Sequence, residues 1–292
     1  MMKKIWLIAI LFSSFACQEK RRAAIDEEVF AKYWYQGKAE INIYELNQFR
    51  YGEQRKGESV MIFVTEDFSK KDHVKLDKPS ETPSDARKVM KLNRTRKFQT
   101  GVYPYHTMLS VFTPVYEDLN SPKVVATVTE WCGQSFIQMN LRNSSYKISS
   151  FSYFQSEGDT ETKVRGQAED ELWNLIRLNP DLIIEGETEM IPGAVYQRFQ
   201  HVPAKAEIAH ISKRKISSTT AEVEVSYEEI KRKLVIRYQQ KFPYQILSWE
   251  ESQTKSNGEI EVTKALRKKV TLLDYWNKNS LQDEELSKSL SL

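Results

Sequence analysis

The sequence predicts a β-dominated α+β chain: antiparallel meander sheets, curved or closed into a partial barrel, around one internal helix. Three observations lead there. The last third carries six strand-like segments, 194–201, 205–212, 220–227, 234–240, 244–251 and 259–275. The gaps between them are too short for the crossover that parallel strands require. The first half adds alternating or β-branched runs such as 39–45 and 60–68. In the interior only 167–178 repeats apolar residues at helical spacing, through Leu172, Leu175 and Ile176 with Trp173 beside them.

Taken in order, residues 1–16 read as a secretory signal. Lys3 and Lys4 form a positive head, eight apolar residues follow from Ile5 to Phe12, and Ser13, Ser14, Phe15 and Ala16 lead to Cys17. A run of that length is far short of the roughly 20 residues of a membrane-spanning helix. Cys17 is therefore the candidate lipidation site, and 17–24, with Lys20, Arg21 and Arg22, its tether. Residues 25–35 predict a short helix capped by Asp26. The runs 39–45 and 60–68 predict a hairpin around a turn at 52–57, and 72–85, with Pro79 and Pro83, a loop. Strands are expected at 88–93 and 98–113, where Pro104 and Pro114 favour an edge or a bend. One long strand is expected over 124–141, and a return strand over 146–154 that closes at Glu157, Gly158 and Asp159. The helix at 167–178 stops at Asn179 and Pro180. Asn257-Gly258 predicts a tight hairpin turn with both residues at positive φ. The domain reading is 25–157 as an N-terminal β-rich region, 158–277 as helix plus C-terminal meander, and 278–292 as a tail; one continuous sheet and two domains split near Gly158 both stay open.

Charge excludes one class of function. The 43 Lys and Arg nearly balance the 40 Asp and Glu, so bulk charge offers nothing for nucleic-acid binding. The two cysteines exclude a disulfide framework: with Cys17 acylated, Cys132 has no partner in the chain. A nucleophilic thiol needs a base and an orienting group, so Cys132, His106 and Glu130 are the catalytic candidates. Against that stands a buried, unreactive thiol, its pKa raised by Glu130, with Gly133 marking a bulge or a close backbone approach. The second reading carries more weight, and replacing Cys132 is then expected to cost some stability and no activity. His73, His106, His201 and His210 share no metal-ligand spacing, so neither a metal nor a cofactor is expected. Glu157 and Asp159 read as turn residues, and no P-loop, G-x-S-x-G or Gly-rich dinucleotide turn occurs. Trp131, Tyr244 and Trp249 are the binding candidates, placed where a curved sheet could hold an apolar ligand.

Four segments carry a resemblance: 33–45 (Y-W-Y-Q-G-K-A-E-I-N-I-Y-E), 130–134 (E-W-C-G-Q), 242–251 (F-P-Y-Q-I-L-S-W-E-E) and Asp274-Tyr275-Trp276. Over essentially its whole length the chain resembles a family of uncharacterised bacterial envelope lipoproteins, some labelled "septum formation inhibitor Maf". Maf proteins proper are cytosolic nucleotide pyrophosphatases with an N-terminal Ser-x-Arg-Arg phosphate-binding segment. The Arg21-Arg22 pair here adjoins the presumed anchor, so that label does not transfer. The resemblance implies an outer-membrane lipoprotein, acylated at Cys17 with palmitate among its acyl groups and facing the periplasm, since Gln18 is not the aspartate of inner-membrane retention. Beyond the resemblance, the expected role is non-enzymatic: binding of an apolar ligand or an envelope protein, or envelope maintenance. The alternatives are a periplasmic enzyme using Cys132 or acidic residues, and a structural interaction protein without a ligand pocket.

Overall fold

The computed structural model describes residues 24–290; the signal, Cys17 and nearly all of the tether lie outside them. Fifteen strands form one open sheet in the order β8-β7-β6-β5-β4-β3-β2-β1-β15-β14-β13-β12-β11-β10-β9. Strand β1 (Ala39–Arg50) pairs antiparallel with β15 (Ile260–Leu273), so the first and last strands meet at its centre. From there β2 (Glu53–Ser69), β3 (Ala86–Thr100), β4 (Tyr103–Pro114), β5 (Lys123–Glu130), β6 (Gly133–Arg142), β7 (Ser145–Ser152) and β8 (Thr160–Val164) step outward on one side. On the other side stand β14 (Ile246–Thr254), β13 (Arg232–Gln239), β12 (Thr220–Tyr227), β11 (Glu207–Lys215), β10 (Gly186–Ile191) and β9 (Gln167–Ala168). Every pairing is antiparallel except β9 with β10.

Helix α1 (Glu27–Trp34) starts where expected: the Asp26 carboxylate accepts from Val29 N at 3.1 Å and holds one of the orphan donors of the first turn. Its Phe30 and Trp34 are buried. The predicted internal helix is shorter than expected. Gln167–Ala168 is a strand, Glu169–Glu171 a single 3-10 turn, and the helix proper, α2, is Leu172–Leu178. All seven of its residues are buried, so it is a core helix rather than one with a single apolar stripe. Its polar members therefore need partners. The Asn174 amide donates to the carbonyls of Met90 (3.1 Å) and Val111 (3.2 Å) and to Thr113 Oγ1 (2.9 Å). On the other side Trp173 packs edge-on to Trp249 of β14 at 5.7 Å. One helix touching both halves of the sheet requires the sheet to curl around it, which strand twist supplies.

Several expectations are corrected. Residues 194–201 are not a strand: α3 (Ala194–Gln200) is a second internal helix, ending at His201 with φ 55°. The runs 88–93 and 98–113 are parts of β3 and β4, divided at Gly101. Both Pro104 and Pro114 sit at the ends of β4, an interior strand. Residues 124–141 are a hairpin, not one strand, and Gly57 lies within β2 rather than in the turn. The β8 segment, assigned from sequence to the C-terminal part, extends β7 instead, through Tyr146 opposite Val164. The two-residue turns with positive φ at both positions are Tyr51–Gly52 (55° and 75°) and Asn143–Ser144 (47° and 66°). In the longer turn at 255–259 only Gly258 takes positive φ, 86°. A last helix, α4 (Glu284–Leu290), brings Leu290 onto Ile41, Ile43 and Val60 on the outer face of the sheet.

The register gives the sheet two ends. Ala24, α1, the end of α2 and the tail from Asp274 gather at the end where β1 begins; the Asn179 amide ties the Ala24 carbonyl there at 2.7 Å. At the other end, the rim, stand the β1–β2, β3–β4, β5–β6 and β7–β8 connections, α3 and the β14–β15 turn. The twelve residues of β1 separate the two by about 40 Å.

Candidate functional site

Cys132 stands in the turn between β5 and β6 and is exposed, against the expected burial. The turn stands at the sheet's end, where the Tyr153 ring lies across it without covering the thiol. Its backbone N–H donates to Glu130 Oε2 at 2.6 Å, and a hydrogen bond from the thiol to Glu130, with that carboxylate's charge, pushes the thiol pKa up. His106 does not join them. It lies opposite Thr129, on the outer face, while Glu130 follows the parity of buried Val128 and faces inward. The thiol, imidazole and carboxylate therefore do not form a catalytic set. Cys132 is expected to accept a thiol label without unfolding but more slowly than free cysteine at neutral pH, and Glu130→Gln to accelerate it. A label that enters only on denaturation would contradict this placement.

The binding candidates separate. Trp249 is core, edge-on to Tyr44 at 4.8 Å and closed to any ligand. Tyr244 lies at the α1 end, lining a hollow of about 290 Å³ with Pro180, Lys213 and Tyr238. Trp131 is 73% exposed at the rim. Gly133 beside it marks a close approach, since a Cβ there would fall 2.3 Å from the ring of Tyr153, which lies across the turn.

What the fold does bring together is a buried charge network beneath the rim. Glu169, Asp170 and Glu171, consecutive in sequence, are all buried. Glu169 takes both guanidinium nitrogens of Arg232 (Nη2 to Oε1 2.7 Å) and the Tyr227 hydroxyl (2.7 Å), and accepts from Gly193 N at 3.2 Å. Asp170 accepts from Ala194 N at 2.8 Å, which orients the start of α3, and stands 4.0 Å from Arg94. Arg96 binds Glu251 with both nitrogens and also donates to Gln48 at 3.0 Å. Burial alone would raise the Glu251 carboxyl, but Arg96 and Arg94 outweigh it and hold it down at about 2. At Asp170 the balance reverses. Burial, with Glu169 adding like charge, outweighs Arg94 and lifts the carboxyl to about 6. Burial also lowers Arg94 to about 10, helped by Arg96.

Above this network opens a cleft of about 240 Å³, with Arg232 and Glu251 in its lining. The β1–β2 turn gives Arg50 and Tyr51, α3 gives Tyr196 and Phe199, and the β14–β15 arm gives Gln253 and Lys255. Arg50 lies over the rings of Tyr51 (4.6 Å) and Phe199 (4.9 Å) and donates to the Phe199 carbonyl at 2.6 Å. Its buried Nε has no hydrogen-bond partner, and neither has the buried Oε1 of Gln253. The cleft thus presents ring faces and the Arg50 guanidinium, which no carboxylate among the described residues pairs, above charges that are otherwise neutralised internally. Beside it, Glu157 receives Arg198 and His201 Nδ1 (2.5 Å), joining α3 to the β7–β8 connection. So Glu157 is more than a turn residue.

Sequence reasoning missed Arg50, Arg94, Arg96, Glu169, Asp170, Arg232 and Glu251. The one available signal was three consecutive acids directly before a mostly apolar stretch, Leu172–Leu178, a placement that favours their burial. Among the described residues no group of His, Cys, Asp or Glu could hold a metal ion, and no helix is long and apolar enough to cross a membrane. No family model, no curated protein and no solved structure matches the chain.

Proposed function

We propose that this is a lipid-anchored outer-membrane protein facing the periplasm, held through acylated Cys17, which binds a polar ligand or an envelope partner at its rim and performs no chemistry on it. The observation that carries the binding role is the rim cleft, with its ring faces and the Arg50 guanidinium over a fixed ionic floor. An apolar ligand has less support, because α2 and α3 fill the inner face of the sheet with side chains. The enzyme alternative loses its main motive with His106 on the other face from Cys132 and Glu130. Geometry also fits the anchor: Ala24 is tied at the end opposite the cleft, and the seven residues from Cys17 to Ala24 reach at most about 25 Å. The cleft would then point away from the bilayer.

Two measurements test this together. Cys17→Ser is expected to move the protein into the soluble periplasmic fraction. Native mass spectrometry of gently extracted wild type is expected to retain a small polar adduct that Gln200→Trp, which places a bulkier side chain on the cleft wall, removes. A Cys17→Ser chain that stays in the membrane would refute the anchor. An adduct indifferent to Gln200→Trp, or none at all, would refute the cleft.

A further inference from the structure

We infer that the rim cleft takes a small carboxylic acid, with Arg50 receiving its carboxylate and the rings of the cleft its hydrocarbon part, a deepening that rests on the binding reading above. Charge is the first ground. The cleft and the floor beneath it hold five cations: Arg50, Arg94, Arg96, Arg232 and Lys255. Four of these have a carboxylate of their own. Arg94 has Asp170 at 4.0 Å, Arg96 has Glu251, Arg232 has Glu169, and Lys255 has Glu261 at 3.1 Å. Among the described residues Arg50 pairs with none; its recorded bonds run to the Phe199 carbonyl and, at 3.5 Å, to the Tyr105 hydroxyl. In the lining itself Arg50, Arg232 and Lys255 stand against Glu251 and Glu261, three cations to two carboxylates. A ligand bearing one negative charge closes that balance.

Arg50 is also held ready. The Phe199 carbonyl fixes Nη1 at 2.6 Å, and the guanidinium lies against the rings of Tyr51 (4.6 Å), Phe199 (4.9 Å) and Tyr105 (5.4 Å). Each terminal nitrogen carries two N–H groups, so those two bonds leave one on Nη1 and one on Nη2. A planar guanidinium already fixed by packing loses little freedom when it takes a carboxylate. Two features decide between acids. Glu251 and Glu261 in the same lining oppose a second negative charge, which disfavours a phosphate monoester against a carboxylate. The cleft's 240 Å³ is below the roughly 300–1,000 Å³ that encloses a drug-sized ligand, so the acid is small, and Tyr51, Tyr196 and Phe199 give its apolar part ring surface to cover.

The test is calorimetric titration of the detergent-extracted protein with benzoate and N-acetyl-phenylalanine. Benzamide and N-acetyl-phenylalaninamide, which keep the shape and lose the charge, are the controls, and phenyl phosphate is the rival anion. We expect at least one acid to bind about tenfold or more tightly than its amide, the usual worth of a charge-assisted pair. Arg50→Gln should remove that preference, and Arg50→Lys, which restores the charge, should recover part of it. Since Arg50 also ties Phe199, the thermal midpoint of each variant is read alongside. If Arg50→Gln does not fold, Gln200→Trp, which leaves Arg50 in place, must abolish binding of the acid instead. Acids that bind no better than their amides, or a preference that survives Arg50→Gln, would overturn the inference. So would phenyl phosphate binding more tightly than both acids. If the native adduct is retained and lost in Gln200→Trp while the acids fail, the cleft stands and the ligand class is wrong; if the adduct is missing too, both readings fall.

Discussion

Arg177→Ala is expected to lower the free energy of unfolding by about 3–5 kcal/mol, the loss that follows when one member of a buried ion pair is removed. Arg177 of α2 and Glu40 of β1 are both 0% exposed in their side chains. They meet through two bonds, Nη1 to Oε1 at 2.5 Å and Nη2 to Oε2 at 2.8 Å, while Arg177 Nε donates to the Pro243 carbonyl at 2.9 Å. Tyr33 and Asn42 donate to the same carboxylate, and the guanidinium lies 4.6 Å from the ring of Phe63. Burial works to raise the Glu40 carboxyl, and Arg177 overrides it to hold the group at about 2. Without Arg177 that carboxylate is left uncompensated in the core, and three segments far apart in sequence lose their common tie. Urea unfolding at neutral pH measures the loss. The Glu40→Leu/Arg177→Met double variant should lose much less, since both charges leave together. A single-variant loss under about 1 kcal/mol would show that the pair is not buried.

The elements that could be read from sequence are those whose side chains alternate by local necessity. The 39–45 and 60–68 runs became β1 and β2 in register because one face of each is apolar. Reading failed where the inner face carries charge. Arg94 and Arg96 occupy inward positions of β3, so the alternation broke there and a fifteen-residue strand looked like two pieces. Residues 194–201 failed for a different reason. Val195 and Phe199 are four apart while the other apolar residues suit a strand, and what decides for helix is Asp170 holding Ala194 N, a contact 24 residues distant. The β5–β6 turn was hidden because Trp131 and Cys132 are apolar residues doing a turn's work. As for the site, Trp131 was legible as a candidate, but the cleft draws on β1, α3, β13, β14 and β15, and no local spacing can encode that. Burial of Glu169 depends on Arg232, 63 residues later. Only the fold sets such a distance.

Asp170→Asn is expected to stabilise the protein at neutral pH, by an amount that grows with pH. The folded-state pKa of Asp170 is raised, to about 6 from an ordinary value of 3.8. Between those values the native state holds a proton that the unfolded chain has lost, so this group's contribution falls as pH rises through roughly 4 to 6. Two units correspond to roughly 2–3 kcal/mol, carried in full above pH 6 because the charge is then buried beside Glu169. The wild-type profile alone hides this. His73, driven down to about 4 by burial and by Arg142, loses stability in the opposite direction, as pH falls through roughly 6.5 to 4. Glu40 and Glu251, both at about 2, lose theirs as pH falls further, from about 4.5 towards 2. The difference between variant and wild type cancels these shared groups. Asparagine keeps the acceptor for Ala194 N and carries no charge, so the two proteins should be equally stable near pH 4. By pH 7 the variant should lead by roughly 2–3 kcal/mol. Urea unfolding of both at half-unit intervals reads the gap directly. A gap that does not change with pH would mean that burial does not raise the Asp170 carboxyl, and an asparagine variant less stable than wild type at pH 7 would mean that Asp170 is held as a stabilising carboxylate with Arg94 outweighing its burial.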